Sequence, residues 1–159
     1  MKTVKKIFYH IFIDGLSGMA LGLFATLIIG TIIQQIGTLV GGTIGDYLFI
    51  MGKIAAAVTG AGIGVGVAVK FRESPLVIIS AASAGMMGSF ASQILAGTLL
   101  TESTVALSGP GEPLGAFIAA LVGIEVGHLV SGKTKIDILV TPLVSIISGS
   151  TVGLLAGPP

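Results

Sequence analysis

Two places in this 159-residue sequence hold side chains whose type and spacing can do chemistry. The first is Ser108-Gly109-Pro110-Gly111-Glu112-Pro113, where two prolines and two glycines surround one carboxylate just ahead of an apolar run. Proline suits the first helical turn, because the N–H it lacks has no partner there anyway. At membrane depth such broken backbone must be satisfied by protein or water. Gly111, Glu112 and Pro113 would then edge a binding site, with Glu112 accepting hydrogen bonds from ligand hydroxyls. An ordinary outer loop with a solvated Glu112 is the competing reading. The second place is Glu125 and His128, which lie three residues apart and so share one helix face. Inside a bilayer an ionisable pair is costly unless it meets a partner or water, which makes both residues candidates for binding or proton relay. Their nearness to Ser131 and Lys133 gives the alternative of a pair hydrated at the membrane interface.

Other chemistries fall away. The Glu-x-x-His spacing occurs in bundle di-metal sites, but those need a second copy and further carboxylates, and this chain has no second copy. With no cysteine there is no thiolate nucleophile, disulfide frame or thiolate metal site. Seven acidic and eight basic residues leave a net charge of +1, too little basic surface to compete for nucleic acid phosphates. Gly60-x-Gly62-x-Gly64-x-Gly66 has the look of a dinucleotide fingerprint, yet neither the preceding strand nor the following amphipathic helix is there. Alternate glycines of this kind flatten a helix for close packing, or loosen it into an unwound segment. No cofactor and no catalytic residue is expected.

The elements that must position these groups are set by the solvent. Hydrophobic residues make up 53% of the chain and charged ones 9%, whereas soluble domains carry roughly a quarter charged residues. The mean hydropathy is +1.06. The 25 glycines sit without a three-residue period inside Ala, Val, Ile and Leu runs, as in closely packed transmembrane helices. Spanning the hydrocarbon takes about 20 mostly apolar residues. Five stretches approach that: Gly15 to Ile33, Ile54 to Val69, Leu76 to Leu100, Pro113 to Val130 and Ile136 to Ala156. The second reaches full length only by adding Tyr47 to Lys53, which would put Lys53 near a boundary where its stem carries the ammonium outward. Ser80, Ser83, Ser89, Ser92 and Gln93 are explained by interhelical hydrogen bonding without any ligand. Thr141-Pro142 can bend the last span near its inner end.

The expected fold is therefore all-α, a polytopic transmembrane bundle of about five spans with a re-entrant segment near 101–113. Lys2, Lys5 and Lys6, then Lys70 and Arg72, then Lys133 and Lys135 fall on alternate connections, while the segments 37–46 and 101–112 hold no Lys or Arg. The positive-inside rule puts the N-terminus in the cytoplasm. No small-residue cleavage site follows the first apolar stretch, so it reads as retained rather than as a signal peptide. Residues 1–13 read as a cytoplasmic interfacial segment, either an amphipathic helix or a solvated lead into the first span, and 14–159 as the transmembrane domain. Ser148-Gly149-x-x-x-Gly153-Leu154 echoes Ser17-Gly18-x-x-x-Gly22-Leu23, as a parallel repeat or as recurring small-residue packing.

Three stretches together carry a family likeness: Gly-Leu-Ser-Gly-Met-Ala-Leu-Gly-Leu-Phe at 15–24, Gly-Pro-Gly-Glu-Pro at 109–113, and Ser-Gly-Lys-Thr-Lys-Ile-Asp-Ile-Leu-Val-Thr-Pro-Leu at 131–143. The chain resembles the sugar phosphotransferase system enzyme IIC type 2 family, the group that includes the perfringolysin toxin regulator. Members are about twice this long, so the resemblance implies an incomplete, N-terminal half, in keeping with the odd span count and the abrupt Gly157-Pro158-Pro159 ending. It also implies a multi-pass protein of the bacterial plasma membrane that binds a sugar while a separate cytosolic IIB protein phosphorylates it, working as a homodimer or with further spans. His10 and His128 lie in no phosphocarrier motif, so the phosphoryl donor comes from elsewhere. Family carriers commonly hold sugar hydroxyls with an intramembrane glutamate and histidine, which leaves Glu112, Glu125 and His128 as candidates. A transport-inactive regulator or sensor with the same fold, and an oligomeric channel, are the alternative functions.

Overall fold

The computed structural model describes residues 2–156, so the Gly157-Pro158-Pro159 ending lies outside the described residues. Helix α1 is one continuous run, Lys2–Val40, with π-helical turns at His10–Gly15 and Phe24–Ile28. At 39 residues it is about 58 Å long, nearly twice the hydrocarbon thickness of about 30 Å. Its first eight residues, Lys2–Tyr9, bury no side chain. At Gly41 the chain reverses with φ +67, a left-handed conformation open to glycine, and α2 (Gly42–Ala57) runs back along α1.

Helices α2 and α3 (Thr59–Lys70) are together long and apolar enough to cross a membrane, with a bend of 53° between them. The bend has a local cause. Val58 leaves the helical ladder at φ −92, ψ 19, and the Thr59 hydroxyl donates to the Ala56 carbonyl at 2.6 Å in place of a backbone N–H. A four-residue turn leads into α4 (Pro75–Ser89), with proline at the first helical position as its missing N–H allows. Here the sequence expectation is corrected. Instead of one span from Leu76 to Leu100, the helix stops at Ser89, breaks at Phe90 (φ −107, ψ 16) and resumes as the short α5 (Ala91–Leu95). A two-residue-per-strand hairpin, β1 (Leu100–Thr101) with β2 (Thr104–Val105), follows, and then α6 (Pro113–Val130) and α7 (Asp137–Ala156). Apolar helical passes thus number three long ones, the bent pair, and the shorter α4, in an all-α bundle.

The core lies between α3, α4 and α6, with Ile63, Val67, Val77, Ala81, Ala116, Phe117, Ala120 and Ile124 buried together. Around it, Leu39 and Leu155 stand 86% and 82% exposed. Such a surface fits a membrane-embedded chain, because lipid takes up apolar area that water would expel.

What brings the helices so close is the glycine ladder of α3, whose residues serve two faces in turn. Gly62 and Gly66 lie against Gly22 and Gly18 of α1, while Gly60 and Gly64 lie against Gly85 and Ala81 of α4. Residues four apart share a helix face, so a spacing of two gives both faces a pair. Packing, not unwinding, is the use made of this motif. Gly18/Gly22 and Gly149/Gly153 likewise seat their helices on different neighbours, the former on α3 and the latter on α6 and α4. Close packing alone accounts for that sequence echo.

Three non-glycine residues adopt positive φ: Glu102 and Ser103 at the hairpin tip, and Arg72 at the end of a core helix. Arg72 closes α3 at φ +57, where the Phe71, Arg72 and Glu73 N–H groups bond back to the last-turn carbonyls. Glycine is the favoured residue in that role, and an L side chain costs about 1 kcal/mol there. Arg72→Gly is expected to raise the melting temperature in detergent, and a lowered one would show that the guanidinium contributes more than the strain removes.

Candidate functional site

The break at Phe90 creates the first site. Where α4 ends, the Ser89 carbonyl accepts from the Glu112 N–H at 2.7 Å, so the Pro-Gly loop is hydrogen-bonded onto the broken helix. Gly111 sits at φ +74 directly over Ser89, and a Cβ there would lie 2.6 Å from the Ser89 oxygen. This position needs glycine twice over, for its conformation and for the close approach. Pro113 then opens α6. The Glu112 side chain is half-buried, and its Oε1 accepts a hydrogen bond from the Ser92 hydroxyl at 2.7 Å. Gln93 Nε2 donates to the Ser108 carbonyl at 3.3 Å and ties down the start of the loop. A carboxylate offers about four acceptor positions, so with one oxygen oriented by Ser92 the other can take ligand hydroxyls. Gly111, Glu112 and Pro113 thus lie on a loop held against the broken helix by hydrogen bonds from protein.

Glu125 and His128 lie elsewhere. Thirteen residues of helix separate Glu112 from Glu125, about 20 Å along α6. They share a face as their spacing requires, but each takes a partner from a different element. Glu125 Oε1 meets His10 Nε2 at 3.2 Å, and His128 Nδ1 meets Glu73 Oε2 at 3.0 Å. The His10 ring also stacks on Phe71, centroids 3.7 Å apart. These contacts close a ring that joins α1, the α3–α4 turn and α6: His10 to Glu125, along α6 to His128, across to Glu73, and back through Phe71 to His10. Ser74 and Ser131 add a hydroxyl–hydroxyl bond of 3.0 Å beside it. Only Glu73 is well covered, its side chain 10% exposed, so most of the ring is open to solvent and each polar contact is worth little by itself. What the ring supplies is a defined arrangement of three elements at one end of the bundle.

Other polar groups turn out to be structural. Ser80 and Ser89 donate to Leu76 and Met86 of their own helix, so the expected interhelical bonding does not hold for them. Ser145 does bridge helices, donating to the Gly123 carbonyl at 2.7 Å. Asp137 Oδ1 accepts from the Gly132 N–H at 2.8 Å and from the Thr141 hydroxyl, fixing the start of α7. Sequence reading missed Glu73, His10 and Phe71 as ring members. Phe71 and Glu73 are signalled only by lying in and beside the basic turn 70–72, and His10 by nothing, since pairing over 55 and 115 residues leaves no local trace.

Neither the curated proteins nor the solved structures include a match to this chain. Its residues 13–159 match the sequence model of the family described as "Phosphotransferase system, EIIC".

Proposed function

The chain belongs to the phosphotransferase system EIIC family, and on that premise we propose that it is a carrier domain which binds a sugar within the bilayer and delivers it to a separate cytosolic IIB protein for phosphorylation. The observation that carries this reading is the half-buried Glu112 carboxylate, oriented by Ser92 on a loop folded over a broken helix. An acceptor fixed in a poorly hydrated place suits polyhydroxylated ligands, because each sugar O–H that replaces water there gains a charge-assisted bond. Gly111 and Pro113 set the edge on which Glu112 stands.

Lys70, Arg72, Lys133 and Lys135 gather at the end of the bundle that holds the ring, and the positive-inside rule makes that end cytoplasmic. Glu125 and His128, braced by His10 and Glu73, form the inner mouth through which the sugar meets its phosphoryl donor. The plasma membrane of a bacterium is the setting that such a donor requires. A second copy or further spans complete the wall of the path.

Uptake of radiolabelled sugar into vesicles carrying the chain, with and without a phosphorylated IIB-type donor inside, tests the proposal. Sugar phosphate is expected to accumulate only with the donor. Binding of no hexose, disaccharide or sugar acid would overturn it. Ligand-dependent gene expression that survives replacement of Glu112 would point instead to a sensor with the carrier fold.

A further inference from the structure

Lys53 is an exposed cation in an apolar stretch of α2, beside Ile50 and Ile54. It lies on α2 five residues before the bend at Val58, and α3 continues for 12 residues to Lys70. At 1.5 Å per residue the α3 segment covers about 18 Å, and the tilted remainder adds only about 5 Å. If Lys70 and Arg72 mark one boundary of a hydrocarbon layer about 30 Å thick, the Lys53 backbone lies inside it. That leaves its backbone about 7 Å inside the far boundary, within reach of the lysine stem as the sequence reading has it, and a cation so close to hydrocarbon is kept at a cost that calls for a purpose.

Its surroundings indicate the purpose. Among the described residues Lys53 makes no ion pair; its nearest charge-stabilising neighbour is the Phe49 ring, 6.0 Å from Nζ to centroid. Lys53 and the half-buried Gln34 line a cavity of about 340 Å³ whose far wall is Leu107, Gly109 and Pro110, the loop that leads into Glu112. Most of the remaining lining is aliphatic, with Ile50 and Ile54. An ammonium and a carboxamide in an otherwise apolar wall give the cavity one polar end. The volume is at the small end of ligand pockets, which suits one sugar ring better than an oligosaccharide.

Resting on the carrier reading above, we propose that this cavity selects a monosaccharide bearing a carboxylate, a hexuronate or an aldonate. Lys53 and Gln34 take the acid group, and the sugar ring lies against Leu107, Gly109 and Pro110. A neutral hexose would offer the ammonium no counter-charge. A phosphate dianion would call for a guanidinium or a second cation, and among the described residues Lys53 is the one cation on the cavity wall. A carboxylate matches the single ammonium in charge, and the Gln34 amide can donate to its second oxygen.

The test is calorimetry on the chain in lipid nanodiscs, with glucuronate, galacturonate and gluconate as acids and glucose and galactose as neutral counterparts. At least one acid is expected to bind more tightly than its neutral counterpart. Lys53→Gln should weaken that acid at least about tenfold, the loss of one charge-assisted contact, and leave neutral sugars unchanged. Lys53→Arg should keep part of the acid affinity. Thermal melting separates binding from folding: Lys53→Gln is expected to melt no lower than the unsubstituted chain, since it removes an uncompensated charge. An acid bound equally well by Lys53→Gln overturns the proposal, as does a lowered melting temperature accompanying the lost binding, which would make Lys53 structural. Binding of neutral sugars alone would overturn acid selection and leave the carrier reading standing. Binding of neither kind would remove both.

Discussion

Gly64→Val is expected to prevent this bundle from assembling. A Cβ at Gly64 would run into the Ala81 carbonyl oxygen of α4, and the valine methyls would reach further still. The obstacle is backbone, so no rotamer change relieves it; α3 and α4 must separate along the core that Ile63, Val67, Val77 and Ala81 share. Overpacking in a well-packed interior costs about 1–3 kcal/mol, and a clash between helix backbones belongs at or above the upper end of that range. Total stabilities are typically about 5–15 kcal/mol, so one such substitution removes a large part. The measurement is size-exclusion behaviour and thermal melting in detergent. Gly97→Ala provides the contrast. Nothing lies within 4 Å of that position, and only its φ of +70 opposes a side chain, so a loss of about 1 kcal/mol is expected. A Gly64→Val protein that stays monodisperse and melts within a few degrees of the parent would show that α3 and α4 are not packed as described.

Glu112→Ala is the substitution expected to act most strongly on ligand binding. Hydrogen bonds to a charged group contribute roughly 1.5–3 kcal/mol each, which corresponds to about 10- to 100-fold in affinity for every sugar hydroxyl the carboxylate holds. Ser92→Ala should have a smaller effect of the same kind, because it frees the carboxylate to rotate without removing it. Glu102→Gln, at the exposed tip of the β1–β2 hairpin, should leave affinity unchanged. Equal affinities in the parent and Glu112→Ala would take the Pro-Gly loop out of the binding site. Melting curves of the three variants distinguish lost binding from a displaced loop, since the Glu112 N–H to Ser89 bond is made by backbone and survives all of them.

The Pro-Gly loop was legible because each of its residues has a local reason. Gly111 must reach φ +74, Pro113 must open a helix, and Glu112 is the one carboxylate beside them. Its seat was not legible, because the run from Leu76 to Leu95 is proline-free and the Gly88-Ser89 pair ahead of Phe90 is a weak kink signal that recurs in packed membrane helices. The break depends on Ser89 being needed as acceptor by a chain segment more than twenty residues further on. Glu125 and His128 show the same division. Their shared face follows from helical periodicity, but the partners on that face, His10 and Glu73, come from two other elements.

By itself the sequence determined the solvent, the number and rough limits of the apolar passes, and the two groups of side chains able to bind a polar ligand. Those properties are local sums, in which every residue contributes its own transfer energy and its own backbone preference. Tertiary structure decided which glycine faces which helix, where the third pass breaks, which partners Glu125 and His128 take, and that Lys53 opens onto a cavity. All of these are set by contacts between segments distant in the chain, and contact energies depend on which surfaces meet, a fact that no single stretch of residues contains.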